Sequence, residues 1–160
     1  MWASPPPPTG PRSSTFARNP KFNLIVRTTR LNPATVSPPM AGGYSHAVRV
    51  ELDAAAIIYV SGQLAFDVDG TFVGVNDMEA QTRKVFENLR EILSANGATF
   101  GDIVKMDTYV KDLGGLPAIR EVRREFFGSE PPASTLVEIS GLVHPDALIE
   151  IDVVAVVSTT

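Results

Sequence analysis

The side chains able to do chemistry here are few and widely spaced. The chain holds two histidines, His46 and His144, and no cysteine. Without thiols there are no disulfides, thiolate nucleophiles, Cys-ligated zinc sites or iron–sulfur clusters. Two imidazoles outside any His-Glu-x-x-His pattern make no built-in metal site. Acid–base chemistry on carboxylates, imidazoles and hydroxyls remains. Glu150 stands between Ile149 and Ile151, so along a strand its side chain leaves the face that theirs occupy. A carboxylate facing a buried boundary has either a partner or a task. Glu138, on the preceding strand, reads as its structural counterpart or as a solvated residue. His46 can move protons near neutral pH if it faces a ligand, or rest at an interface. His144 falls in a Val-His-Pro-Asp turn, at a cleft rim or simply in a loop. Ser134 has no His–Asp pair placed by sequence to activate it, and reads as a strand serine.

The elements that must position these groups follow from periodicity. Asn23–Thr29, Ser45–Leu52 and Ala55–Leu64 read as strands, with a Pro- and Gly-rich loop over Asn32–Gly43 and a turn at Asp67–Gly70. Met78–Asn96 reads as a helix: Val85, Phe86, Leu89, Ile92 and Leu93 make one apolar stripe, Asn76 or Asp77 can cap it, and Gly97 stops it. Asp102–Lys111 alternates as a strand, and Pro117 opens a second helix with a stripe of Ile119, Val122 and Phe126. Its charged run Arg120–Glu125 reads as a solvated face. Ser134–Ser140 and Ala147–Val157 are the last strands. The order β-β-β-α-β-α-β-β predicts an α+β fold, a mostly one-sided sheet covered by two helices. The other face must pack on something, and a second copy of the chain is the economical answer.

Charge divides the chain unevenly. Residues 1–50 hold six Lys or Arg, no Asp or Glu and nine of the 13 prolines, which leaves a net −10 on residues 51–160. Residues 1–22 therefore read as a Pro-rich basic arm, expected to be flexible, before a single domain over 23–160 of a 160-residue chain. The arm can be an extension, a partner-binding segment or an organelle-targeting segment, although Pro5–Pro8 oppose an amphipathic targeting helix. An acidic body argues against nucleic acid, and no apolar run reaches the roughly 18 residues of a membrane span. A cytoplasmic location is expected, with organelle targeting left open.

Six segments in order resemble the Rid family (reactive intermediate deaminase, also called YjgF): Gly43-Tyr44-Ser45-His46-Ala47-Val48, Tyr59-Val60-Ser61-Gly62-Gln63, Gln81-Thr82 with Asn88, Gly101–Lys105, Val110–Leu113, and Glu150-Ile151-Asp152. The resemblance covers residues 23–157. It implies a homotrimer with a small-molecule cleft at each subunit boundary, hydrolysing imines or enamines to a carbonyl compound and ammonia without a cofactor or metal. On this resemblance Glu150 positions the water, Tyr44 lies beside the substrate, and Ser61 and Gly62 face it. His46 replaces the family's glutamine. The departure is Pro132–Ile139, where the family's carboxylate-binding arginine is Ser134 and the cysteine position is Leu136. A charge-assisted contact is worth roughly 1.5–3 kcal/mol, so its loss weakens a 2-imino acid by about tenfold to a hundredfold. The expected function is thus hydrolysis of another imine or enamine. The alternative is a non-catalytic trimer binding a small ligand or a protein. The ribonuclease activity once attached to the family fits worst, given the acidic body.

Overall fold

The computed structural model describes residues 27–39 and 43–160, and the backbone of residues 12–15. The rest of the proposed arm, and the part of the first expected strand before Arg27, lie outside the described residues. Seven strands form one sheet in the order β1-β2-β3-β4-β7-β5-β6: β1 (Arg12–Thr15), β2 (Arg27–Leu31), β3 (Ala47–Glu51), β4 (Ala55–Gln63), β5 (Ile103–Val110), β6 (Ala133–Glu138) and β7 (Ile149–Ser158). Helices α1 (Met78–Ala95) and α2 (Leu116–Phe127) complete it. β1 falls within the basic arm and pairs antiparallel with β2, an element the alternation did not reveal. Of the first expected strand, Arg27–Thr29 lie in β2, which runs on to Leu31 and pairs with β3.

The ends of the elements are held as their residue types dictate. The Asp77 carboxylate accepts from the Ala80 amide at 2.9 Å and starts α1. Gly97, at φ +71°, ends it. The Asp67 carboxylate accepts from the Thr71 amide at 2.9 Å and closes the expected turn, letting Phe66 and Phe72 pair. α2 is the crossover that makes β5 and β6 parallel. Its buried residues are Ile119, Val122 and Phe127. Phe126, expected in that stripe, is half-buried and stacks on Phe86 instead, because α2 lies against α1 as well as the sheet.

β7 is paired antiparallel on both sides, to β4 and β5. Its odd residues from Ile149 to Val157 are buried under the helices, and its even residues face the other way. That uncovered face carries the cross-strand pairs Tyr59–Val154 and Ile57–Val156, then Asp152 opposite Asp107 and Glu150 opposite Tyr109. Tyr59 is 50% exposed there and Val156 39%. Among the described residues no helix is long and apolar enough to cross a membrane.

The covered side centres on Phe86, which has no exposed surface and meets Phe126 at 5.0 Å, Phe100 at 5.7 Å and Phe127 at 5.9 Å. Phe86→Ala is expected to cost about 3–5 kcal/mol, read from the urea midpoint at unchanged m-value. A loss below about 1 kcal/mol would show that the aromatic cluster repacks freely.

Candidate active site

A cavity of about 720 Å³ opens where the end of β4, the start of β7, the residues before β3 and the turn before β7 converge. Tyr44, His46, Ser61, Gly62 and Glu150 all line it, so five of the six residues expected to make a site are brought together. Ser134 is not among them. It lies on β6, two strands beyond β7, and its hydroxyl accepts from Arg123 Nη1 at 3.1 Å.

Glu150 reaches the cavity because Ile149 and Ile151 turn the opposite way into the core. Its carboxylate is half-buried and presses on the β4 backbone: a Cβ built on Gly62 would stand 1.9 Å from Glu150 Oε1. Burial first, and the negative charge of Asp152 second, push the Glu150 proton affinity above that of an ordinary glutamate. Asp152 is raised in turn by burial and then by Asp107. Ser61 is oriented by its neighbours, with its hydroxyl donating to the Ser45 carbonyl at 2.8 Å and its amide to the His46 carbonyl at 2.9 Å. Tyr44 is 43% exposed and sets its ring edge-on to His46 at 5.8 Å.

His46 is 4% exposed, and both of its ring nitrogens are engaged. Nε2 donates to the Ser37 carbonyl at 2.7 Å, and Nδ1 faces the Gln63 amide at 3.4 Å. Burial lowers its pKa more than the Ser37 bond restores it. His46 ties the loop before β3 to β4, and this ring braces the cavity wall.

Other residues join the site, among them His144, which the sequence left open as a cleft-rim or loop residue. Asn88, buried on α1, donates to the carbonyls of Leu64 and Phe66 at 3.1 and 2.8 Å and fixes the exit of β4. It stood in the motif list, but nothing in its spacing reveals that it reaches across 22 and 24 residues. Phe66 and His144 line the cavity, with Phe72 behind the imidazole. Glu138 is no counterpart of Glu150: its carboxylate accepts from the Leu113 amide at 3.0 Å. Arg123 departs from the solvated face expected of Arg120–Glu125. It is half-buried, lies over Phe127 at 5.7 Å, and among the described residues forms no ion pair, whereas Arg124 pairs with Glu121 and Glu125 with Arg83.

Among the described lining residues there is no Lys or Arg, and no group of three His, Asp or Glu is arranged to hold a metal ion. The arrangement offers an apolar, aromatic-walled space with the Glu150 carboxylate, the Tyr44 and Ser61 hydroxyls and two imidazoles. It can bind a small planar molecule and move a proton beside it.

The comparisons with known proteins agree with this fold. A RutC family protein of Pyrococcus abyssi is 37% identical over 119 residues, which are 74% of this chain and 90% of that one. The 3-aminoacrylate deaminase RutC of Acinetobacter baylyi is 40% identical over the same shares. The crystal structure of a Rid-family protein of unknown function from Yersinia pestis matches with a TM-score of 0.72 at 30% identity, covering 81% of this chain and 99% of that one. The family model described as endoribonuclease L-PSP matches residues 34–157, and the chain belongs to that family, also known as Rid or YjgF.

Proposed function

We propose that this protein is a Rid-type deaminase, a cofactor-independent hydrolase that converts a small imine or enamine to a carbonyl compound and ammonia. The observation that carries the reading is Glu150: a half-buried carboxylate of raised proton affinity, set against Gly62 in a cavity that also holds Ser61 and Tyr44. The enamine takes a proton at its β-carbon to become an iminium ion. Water then adds to the C=N carbon while Glu150 accepts one of its protons. Glu150 returns that proton to the nitrogen of the carbinolamine, the C–N bond breaks and ammonia leaves, and the hydroxyl gives its proton to solvent, balancing the one taken up at the β-carbon, to become the carbonyl. A carboxylate that holds its proton more tightly than usual suits both halves of the exchange.

The substrate class follows from what the cavity wall offers. With Ser134 where the family carries its arginine, and no Lys or Arg among the described lining residues, a 2-imino acid lacks its bidentate cation. The relative that acts on 3-aminoacrylate handles an enamine, the class proposed here. A phosphodiester substrate fits poorly with the net −10 of residues 51–160. We also propose assembly as a homotrimer through the uncovered sheet face, whose Ile57, Tyr59, Val154 and Val156 form a continuous apolar patch.

The direct test is ammonia release from 3-aminoacrylate and other small enamines, beside 2-imino acids generated from neutral and aromatic amino acids. Turnover of the enamines is expected, with the 2-imino acids slower by about tenfold or more, and deleting residues 1–22 should leave it unchanged. Silence across the panel would favour a non-catalytic ligand-binding protein of the same fold.

Four further outcomes are specific to the geometry. Glu150→Gln should lower kcat by about a hundredfold or more, and full rate in that variant would refute the mechanism. Since the proton acceptor must be ionised, activity should fall as pH drops through the raised Glu150 pKa, placing the acid limb above the usual glutamate range. Asp152→Asn should move that limb to lower pH. Gly62→Ala should lower kcat by about tenfold or more with the circular dichroism spectrum intact, because the added methyl displaces the end of a flexible side chain. For the assembly, light scattering should give about three times the 17.2 kDa chain mass, and Tyr59→Lys should reduce it.

A further inference from the structure

The two imidazoles in the cavity wall are not equivalent. His46 has both ring nitrogens occupied by Ser37 and Gln63. His144 uses one: its Nδ1 accepts from the Asp146 amide at 3.3 Å, which leaves the proton on Nε2, and among the described residues nothing accepts it. The ring is also fixed in place. It stacks on Phe72 at 4.1 Å with only 10° between the planes, and Phe66 meets it edge-on at 5.4 Å.

The turn that carries His144 is anchored from beneath. Gln81 on α1, with no exposed surface, donates to the Asp146 carbonyl at 2.9 Å and accepts from the Leu148 amide at 2.8 Å. Lys111 Nζ donates to the Pro145 carbonyl at 2.8 Å. A donor held this firmly loses little freedom when it binds, which is what a recognition group requires.

We propose that His144 is the specificity-determining residue of this cavity, its Nε2–H donating to a carboxylate or carbonyl oxygen of a planar, unsaturated substrate. This rests on the deaminase reading for the reaction, though not for the binding. In a cavity wall without Lys or Arg among the described residues, an imidazole N–H donor favours an oxygen acceptor while leaving the rest of the ligand to apolar contact with Phe66 and Tyr44.

Two variants separate the donor from the packing. His144→Phe keeps an aromatic ring against Phe72 and removes the N–H, and His144→Gln restores a donor without the stack. The binding probe is crotonate, a planar unsaturated carboxylate with no nitrogen to hydrolyse, titrated by calorimetry into the full chain. H144F is expected to weaken binding about tenfold, while H144Q stays within about threefold of the parent. On whichever oxygen-bearing substrate the ammonia assay identifies, H144F should raise KM by a similar factor with kcat within about twofold. Crotonate binding that is absent in the parent, or unchanged in H144F, overturns the proposal. Ammonia release with an unchanged KM in H144F also overturns it and leaves the deaminase reading intact. Crotonate binding that depends on His144, without ammonia release from any imine, refutes the deaminase reading and upholds this one.

Discussion

The pleat of β7 is the constraint on which the remaining arrangement depends. Paired antiparallel on both edges, the strand has no freedom to slip by one residue, since a slip would carry its whole buried row to the uncovered face. With Ile149, Ile151, Val153 and Ala155 committed to the core, Glu150 and Asp152 must face the other way. One strand thereby serves both layers: its odd residues hold the helices, and its even residues supply the carboxylates. The apolar free energy that fixes the register is what keeps Glu150 partly desolvated at the cavity wall.

Around that strand the cavity is built from groups that satisfy one another and leave a few atoms over. Asn88 and Gln81, both buried on α1, use their amides to hold loop carbonyls and so anchor the two loops that meet above the sheet. His46 and Gln63 tie the loop before β3 to β4. Buried polar groups of this kind cost free energy unless paired, so the pairing selects one loop conformation. Among the described residues Glu150 and His144 keep side-chain polar atoms without a partner, and these are available to a ligand. Gly62 completes the arrangement by omission, since any side chain there would occupy the place of the Glu150 carboxylate.

The uncovered face has a graded character. Near the β3–β4 hairpin it is apolar, with Ile57 and Tyr59 opposite Val156 and Val154. Toward the cavity it becomes acidic, with Asp107, Asp152 and Glu150 in adjacent rows and the Tyr109 hydroxyl pushed up in pKa chiefly by Asp152. A sheet face of this composition can join copies of the chain through its apolar rows while leaving the acidic rows beside a polar cleft.

Local pattern made much of this legible. The 3.6-residue period of α1, with Asp77 before it and Gly97 after, and the twofold period around Glu150, each report a side chain's face from neighbours a few residues away. The six ordered segments carried the family, and with it five of the residues that meet in the cavity. What the sequence determined by itself was therefore the type of each main element and the face that each residue presents. The tertiary structure decided which of those faces meet. That His144, rather than His46, keeps a ring nitrogen without a partner among the described residues turned on contacts with Ser37, Gln63 and Asp146, which no spacing encodes. Arg123 turned inward because α2 lies where its stem can cover Phe127 and reach Ser134. Burial and hydrogen-bond occupancy are properties of groups brought together from distant parts of the chain, so they come into being only when the sheet and its loops close.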